Sequence, residues 1–122
     1  MCRILVVDDD TDILSVMETL LTMKGFKVEV TAKGENTVSK INSFKPDLIL
    51  LDVLISGYDG RTICKQLKSN KATQHIPVIM FSAHPGAATT IGDYGANDFI
   101  AKPFDITHLL KKVNEQLGIS PN

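Results

Sequence analysis

Polar residues follow short apolar runs at several places in this sequence, and their types could perform chemistry. They are three acids, a hydroxyl and a lysine: Asp8, Asp9, Asp52, Ser82 and Lys102. Carboxylates brought together at neutral pH repel one another, so such a group either takes up a proton or recruits a cation. The expected cation is Mg²⁺, because it prefers oxygen ligands and usually takes only one or two carboxylates. Mn²⁺ is the alternative, since it shares this preference for oxygen.

The same residues have the parts of a phosphoryl-transfer site. Asp9 and Asp52 suit a metal ion that also holds phosphate oxygens. Together with the metal, the Ser82 hydroxyl and the Lys102 ammonium would surround a place where a transferring phosphoryl group meets fixed partners for its charge. Asp52 is then the expected nucleophile.

Five short apolar runs, rich in β-branched residues, must position these side chains. The runs cover residues 4–7, 28–30, 48–51, 78–81 and 99–101. Most lack the polar alternation of a half-exposed strand, which is typical of parallel strands buried on both faces. The sequence therefore predicts an α/β fold with a doubly wound, five-stranded parallel sheet and helices on both faces. Ligands of such sheets bind at the carboxyl ends of the strands, where the polar residues stand.

Stretches of helical length separate the runs. An apolar stripe that begins at Ile13 is closed by Gly25, and a second stripe covers 106–117. The less periodic stretches 35–44 and 61–68 are long enough for crossover helices. Asp10 is expected to cap the first helix or to face solvent rather than to bind metal.

Length and composition indicate one ordinary globular domain. The chain has 122 residues, of which 43% are hydrophobic and 22% charged. A net charge of −1 argues against direct nucleic-acid binding. No apolar run approaches the ~20 residues that span a bilayer, and no signal-like segment opens the chain. We therefore expect no membrane contact. Cys2 and Cys64 lack a disulfide spacing, so we expect a reducing, cytoplasmic compartment.

Four motifs, in this order, resemble those of the response-regulator receiver family of two-component signalling. They are VVDDD at 6–10, LLDV at 50–53, IMFSA at 79–83 and FIAKPF at 99–104, with SGYDG at 56–60 and GAND at 95–98 in support. The resemblance covers essentially the whole chain. It implies a flavodoxin-like strand order, 2-1-3-4-5.

The resemblance implies that Asp52 takes a phosphoryl group from a phosphohistidine on a sensor histidine kinase or phosphotransfer protein. Small acyl phosphates could substitute for that donor. It also implies that Asp9 and Asp52 ligate Mg²⁺ together with the backbone carbonyl of Leu54, while Asp8 acts partly through water. The chain is then a signalling phosphoacceptor that assists its own phosphorylation and dephosphorylation, and not an enzyme acting on other substrates.

The resemblance further implies a conformational switch. Ser82 and Lys102 would bind phosphoryl oxygens, and Phe99 would turn inward as the switch aromatic. Leu54 and His84 occupy the positions that tune water access, so we expect slow self-dephosphorylation. The switch would control a downstream protein target or effector domain, with the chain as a monomer or a phosphorylation-dependent dimer.

The sequence departs from the family pattern between Ser82 and Lys102, where the usual segment is slightly longer. Residues 84–94 contain helix-breaking types, so the fourth helix is expected to be shortened. Ser56 also replaces a common proline. We expect residues 1–118 to form the receiver domain and 119–122 to be a tail or the start of a linker, whether the chain stands alone or belongs to a longer protein.

Other interpretations stay open. The acids after the first run could serve only a helix end, Ser82 could make only a local hydrogen bond, and Phe99 could be ordinary core. An aspartyl-phosphate phosphatase would want a second acid where Leu54 stands, and neither nucleotide-binding glycine motif is present. A phosphorylation-independent interaction module is disfavoured by the complete set of acids, hydroxyl and lysine.

Overall fold

The apolar runs form the strands of one parallel sheet. The computed structural model describes residues 2–55, 57–84, 86 and 91–119. In chain order the elements are β1 (Arg3–Val7), α1 (Thr11–Met23), β2 (Lys27–Thr31), α2 (Thr37–Phe44), β3 (Leu48–Asp52), β4 (Leu54–Ile55), β5 (Tyr58–Asp59), α3 (Gly60–Lys68), β6 (Val78–Ser82), β7 (Asp98–Ala101) and α4 (Ile106–Leu117). All five predicted strands are present, with bounds within one residue of the apolar runs.

The order of the large sheet is β2-β1-β3-β6-β7, and every pairing in it is parallel. Counted along the chain, this is the flavodoxin-like order 2-1-3-4-5, so the predicted topology is confirmed. The register places Asp52 opposite Phe81, and Ser82 opposite Ala101. The ends of β1, β3 and β6 therefore lie side by side at one edge of the sheet.

Each face of the sheet carries its own apolar core. Alternate residues of β1 divide between the two cores, with Leu5 on one face and Ile4 on the other. The first core contains residues of α2 and α3, and the second contains residues of α1 and α4. Helices therefore cover both faces, as the unbroken apolar runs predicted.

Side-chain caps and glycines set the helix ends. The Asp10 carboxylate accepts hydrogen bonds from the N–H groups of Asp12 and Ile13, so it is the predicted cap of α1. Gly118 ends α4 in the left-handed conformation, with φ of +69°. Within the described part of the chain, no helix is both long and apolar enough to span a membrane.

Three segments differ from the sequence prediction or lie partly beyond the described residues. The stretch predicted as one helix over 35–44 begins with a 3-10 turn at Gly34–Asn36. The loop after Asp52 contains a small antiparallel hairpin, in which β4 pairs with β5. In the segment 84–94, a 3-10 helix covers Ile91–Tyr94. Residues 56, 85 and 87–90 lie outside the described residues, and with them much of the predicted shortened helix.

Candidate metal centre at the carboxyl edge of the sheet

Three carboxylates meet at the edge where β1 and β3 end. Asp8 follows β1 directly and Asp52 is the last residue of β3, so the parallel pairing of these strands sends both side chains to the same edge. Oxygens of Asp8, Asp9 and Asp52 all lie within 4.8 Å of one another. Asp8 is fully buried and Asp52 is 6% exposed, whereas Asp9 is exposed. The cluster is therefore open to solvent on the side of Asp9.

Lys102 bridges the two buried carboxylates. Its Nζ donates to Asp8 Oδ2 at 2.8 Å and to Asp52 Oδ2 at 3.3 Å. It also lies 4.9 Å from the centroid of the Phe81 ring. Lys102 follows β7 and its peptide bond to Pro103 is cis. One ammonium thus compensates two anionic groups that come from distant parts of the chain.

The charges of these groups change their proton affinities. Burial, and then the negative charge of Asp8, raise the pKa of Asp52 from 3.8 to about 6, against the opposing positive charge of Lys102. Burial alone would lower the pKa of Lys102, but its hydrogen bond to Asp8 and the charges of both acids raise it above its usual value. Asp52 therefore takes up a proton at a higher pH than an ordinary aspartate but is mostly ionised at neutral pH, while Lys102 remains a cation.

Backbone contacts fix the position of Asp8. The Asp8 N–H donates to the Thr31 carbonyl at 3.2 Å, and its Oδ1 accepts the N–H of Asp10 at 2.9 Å. One carboxylate oxygen is thus held by the turn into α1, and the other by Lys102. The side chain is oriented from both sides, so its charge lies at a fixed place beside Asp52.

Ser82 ends β6, on the strand next to β3, and is 3% exposed. Its Oγ accepts the N–H of His84 at 3.0 Å. This is the local hydrogen bond that the sequence left open, and it uses the hydroxyl as an acceptor only. The hydroxyl proton is therefore still able to be donated to another group at this edge. The His84 side chain itself is exposed.

Leu54 and Phe99 lie outside the acid cluster. Leu54 is 49% exposed and belongs to the hairpin strand β4, two residues after Asp52. Phe99 is half-buried, pairs with Met80 across the sheet, and packs against the core on the α2 and α3 face. The structure thus gives Phe99 an ordinary packing role in this conformation.

Two residues that sequence reasoning did not single out support the site. Phe81 places its ring next to the Lys102 ammonium. Gly60 packs directly on the end of β3, since a Cβ there would overlap the carbonyl oxygen of Asp52. The motif SGYDG contained this glycine, but no pattern in the sequence indicated which backbone atom it meets.

The donor set fits a hard divalent cation. Three carboxylates offer oxygens within reach of one another, and the exposed Asp9 leaves room for the waters that Mg²⁺ keeps. Lys102 already neutralises part of the charge, so a cation at Asp9 and Asp52 would complete the compensation. The residues present therefore match an oxygen-rich magnesium site.

The fold and the site define a flavodoxin-like α/β domain with a cluster of three acids at the carboxyl edge of its sheet. Residues 4–114 match the family model of the response regulator receiver domain, and the chain belongs to this family. It is thus a receiver domain of the two-component response regulators. Receiver domains bind Mg²⁺ through an acidic pocket, and phosphorylation is typical of the family.

Comparisons with individual proteins agree with this assignment. The chain is 38% identical over 113 residues to the response regulator PleD of Caulobacter vibrioides, covering 91% of this chain and 25% of PleD. It is 35% identical to the DNA-binding dual master transcriptional regulator RpaA of Synechocystis, covering 96% of this chain and 49% of RpaA. It thus spans half or less of either relative.

A solved structure agrees as well. The CheY-like response regulator receiver domain protein of Methanospirillum hungatei JF-1 superposes with a TM-score of 0.89 at 28% identity, covering 97% of this chain and 94% of that one. The two chains therefore share the fold over nearly their whole lengths.

Proposed function

We propose that Asp52 of this receiver domain accepts a phosphoryl group in a Mg²⁺-dependent reaction. The observation that carries the proposal is the convergence of three carboxylates within 4.8 Å, with Lys102 3.3 Å from Asp52. Asp52 sits at the centre of this arrangement, and its pKa of about 6 leaves most of it ionised at neutral pH. An ionised carboxylate is the form that can act as a nucleophile.

Asp9, Asp52 and the backbone carbonyl of Leu54 would hold the Mg²⁺, with Asp8 contributing partly through water. When bound, the ion supplies positive charge that neutralises phosphoryl oxygens. The protein's own part is to fix the groups that surround the phosphoryl group. The fully buried Asp8 contributes by accepting a hydrogen bond from Lys102, which keeps the ammonium next to Asp52. Mn²⁺ would be accepted in place of Mg²⁺ because it takes the same ligands.

The transfer forms one bond and breaks one. An Oδ of Asp52 bonds to the phosphorus of a phosphohistidine on the donor. The phosphorus–nitrogen bond breaks, and its electron pair returns to the imidazole nitrogen. Lys102 and the Ser82 hydroxyl then donate hydrogen bonds to phosphoryl oxygens, which are strong acceptors. The domain acts on itself in this step and assists its own phosphorylation and dephosphorylation, without turning over an external substrate.

The phosphoryl group would bias an existing conformational equilibrium. Ser82 would shift from its contact with His84 toward the phosphoryl oxygens. Phe99, half-buried on the neighbouring strand, would follow by turning inward. The altered surface would control an output, either an effector domain in the same protein or a separate target, and the chain would act as a monomer or as a phosphorylation-dependent dimer.

The phosphodonor would dock on a groove of about 510 Å³ beside Lys102, between α1 and the turn after β7. Apolar residues dominate its lining, among them Ile13 and Phe104, and Val16 beside them is 56% exposed. An apolar face of a sensor histidine kinase or phosphotransfer protein fits such a surface. The groove leads directly to Lys102, so a docked donor would bring its phosphohistidine to Asp52.

Three further points belong to the proposal. Residues 1–118 are assigned to the receiver domain because Gly118 ends α4, and residues 120–122 of the expected tail or linker lie outside the described residues. The free thiols of Cys2 and Cys64 suit a reducing, cytoplasmic compartment.

The half-exposed Leu54 and the exposed His84 govern water access to the phosphoryl group, and Leu54 lacks a polar group to position water. Dephosphorylation is therefore slow, and Leu54→Asn would accelerate it.

Acetyl phosphate tests the proposal without a protein donor. With Mg²⁺, the mass of the intact chain is expected to rise by one phosphoryl group, and fragment masses are expected to locate the group at Asp52. EDTA or Asp52→Asn abolishes the change, whereas Asp47→Asn, an exposed acid at the opposite edge of the sheet, does not. A chain that stays unmodified with Mg²⁺, or that is modified equally in Asp52→Asn, refutes the proposal.

A further inference from the structure

The Arg61 guanidinium joins two segments that are far apart in the sequence. In α3, Arg61 Nε donates to Asp59 Oδ1 at 3.1 Å, and Nη2 donates to Asp59 Oδ2 at 2.9 Å. Its Cζ lies 5.7 Å from the centroid of the Tyr94 ring, in the 3-10 helix that precedes β7. One side chain therefore contacts both the hairpin after Asp52 and the segment after Ser82.

Asp59 is held firmly by this contact. Besides the two side-chain donors, its Oδ1 accepts the backbone N–H of Arg61 at 2.9 Å and so caps α3. A fork of two parallel hydrogen bonds fixes a carboxylate more closely than a single charge would. The hydrogen bond from Arg61 lowers the pKa of Asp59, so the pair stays charged at neutral pH.

Asp59 and the glycine that follows it contact the backbone of residues 52–54. Asp59 pairs with Leu54 in the β4–β5 hairpin. The next residue, Gly60, packs on the Asp52 carbonyl and donates its N–H to the Val53 carbonyl at 2.7 Å. A movement of Asp59 would therefore displace the backbone around Leu54, whose carbonyl is part of the proposed metal site.

We propose that Arg61 is a positioning residue for Mg²⁺ binding: through Asp59 it holds the hairpin that presents the Leu54 carbonyl, and Tyr94 acts on the site through Arg61. This inference rests on the proposed function, because the Leu54 carbonyl is a ligand only there. It adds that the metal site responds to the segment that follows Ser82. Tyr94 lies outside the group of three acids, and its contact with the Arg61 guanidinium is the route by which it would affect Mg²⁺ affinity.

Mg²⁺ titration of the full chain by calorimetry tests the inference. Arg61→Ala is expected to weaken Mg²⁺ affinity by about five- to tenfold. This is at or below the lower end of the loss in metal affinity, about tenfold, that is usual when a residue that orients a metal ligand is removed. Asp59→Asn, which keeps an oxygen for the helix cap, is expected to have a similar effect. Tyr94→Leu is expected to weaken affinity less, and to have no further effect in the Arg61→Ala background. Arg61→Lys keeps the charge without the fork and is expected to restore only part of the loss.

Arg3→Ala is the matched control. Arg3 lies 6.0 Å from the Phe44 ring centroid at the amino end of β1, so this change removes the same kind of contact far from the site. Its Mg²⁺ affinity should equal that of the wild type. Variants of Arg61 that lower stability but leave Mg²⁺ affinity unchanged would overturn the inference, as would a Tyr94→Leu effect that persists without Arg61. A wild-type chain that binds no Mg²⁺ would instead contradict the proposed function.

Discussion

At the scale of single residues, the shifted pKa of Asp52 contributes to the pH dependence of stability with a definite sign. Its pKa is about 6 in the folded chain against 3.8 ordinarily, chiefly because the carboxylate is buried next to Asp8. Between these values the folded chain binds a proton that the unfolded chain has released. Asp52 therefore makes the free energy of unfolding fall as the pH rises through this window.

The contribution of Asp52 to the pH dependence of the unfolding free energy can be isolated by comparing the wild-type chain with Asp52→Asn. Relative to that variant, the wild-type chain in EDTA is expected to lose on the order of 2 to 3 kcal/mol of unfolding free energy between pH 4 and pH 7. Urea unfolding at a series of pH values measures the difference. Parallel pH profiles for the two chains would show that Asp52 has an ordinary pKa and is not crowded by Asp8.

Lys102 is expected to stabilise the fold by compensating the charge of the buried Asp8, and this contribution should be largest when no metal ion is bound. Lys102→Ala leaves the carboxylate of the fully buried Asp8 with the N–H of Asp10 as a donor but without its cation, so a loss of about 3 kcal/mol in unfolding free energy is expected in EDTA. The matched control is Lys112→Ala, which breaks the more exposed pair with Asp98 and should cost below about 1 kcal/mol.

Urea unfolding at neutral pH compares the two lysine variants. Equal losses would mean that Asp8 does not depend on its partner. A smaller loss for Lys102→Ala in saturating Mg²⁺ is expected, because a bound cation compensates the same acids.

At the scale of elements, Gly60 brings the start of α3 directly against the end of β3. A Cβ at this position would overlap the Asp52 carbonyl oxygen, which belongs to a central strand and cannot move aside. Gly60→Ala is therefore expected to cost about 3 kcal/mol or more in unfolding free energy. Gly92→Ala, where a Cβ meets open space, should have little effect. Thermal or urea unfolding distinguishes them, and two nearly neutral substitutions would show that Gly60 is not tightly packed.

The strands were predictable from the sequence because burial on both faces leaves long unbroken apolar runs, such as the one that ends at Asp52. The hairpin after Asp52 was not, since each of its strands has only two residues and no hydrophobic period can be read from them. The 3-10 turn before α2 was also missed, because its three residues are too few to show a hydrophobic period that differs from that of the helix that follows.

The candidate site was predictable to a similar extent. Parallel strands bring their ends together, so the convergence of Asp8 and Asp52 followed from their positions at strand ends. The bridge made by Lys102 joins residues 94 positions apart, and no spacing rule reveals which acid a lysine meets. The contact of Arg61 with Tyr94 was hidden for the same reason, since each residue alone looks like ordinary surface.

At the scale of the whole molecule, the doubly wound fold brings Asp8, Asp9 and Asp52 together at the carboxyl edge of the sheet, while apolar core occupies both of its faces. The central claim is that acids from separate strands form one divalent-cation site around Asp52. Calorimetric titration with Mg²⁺ at neutral pH tests this claim most directly. We predict one ion per chain, with binding lost or strongly weakened in Asp9→Asn and Asp52→Asn and unchanged in Asp47→Asn. Absence of Mg²⁺ binding, or equal affinity in all these variants, would contradict it.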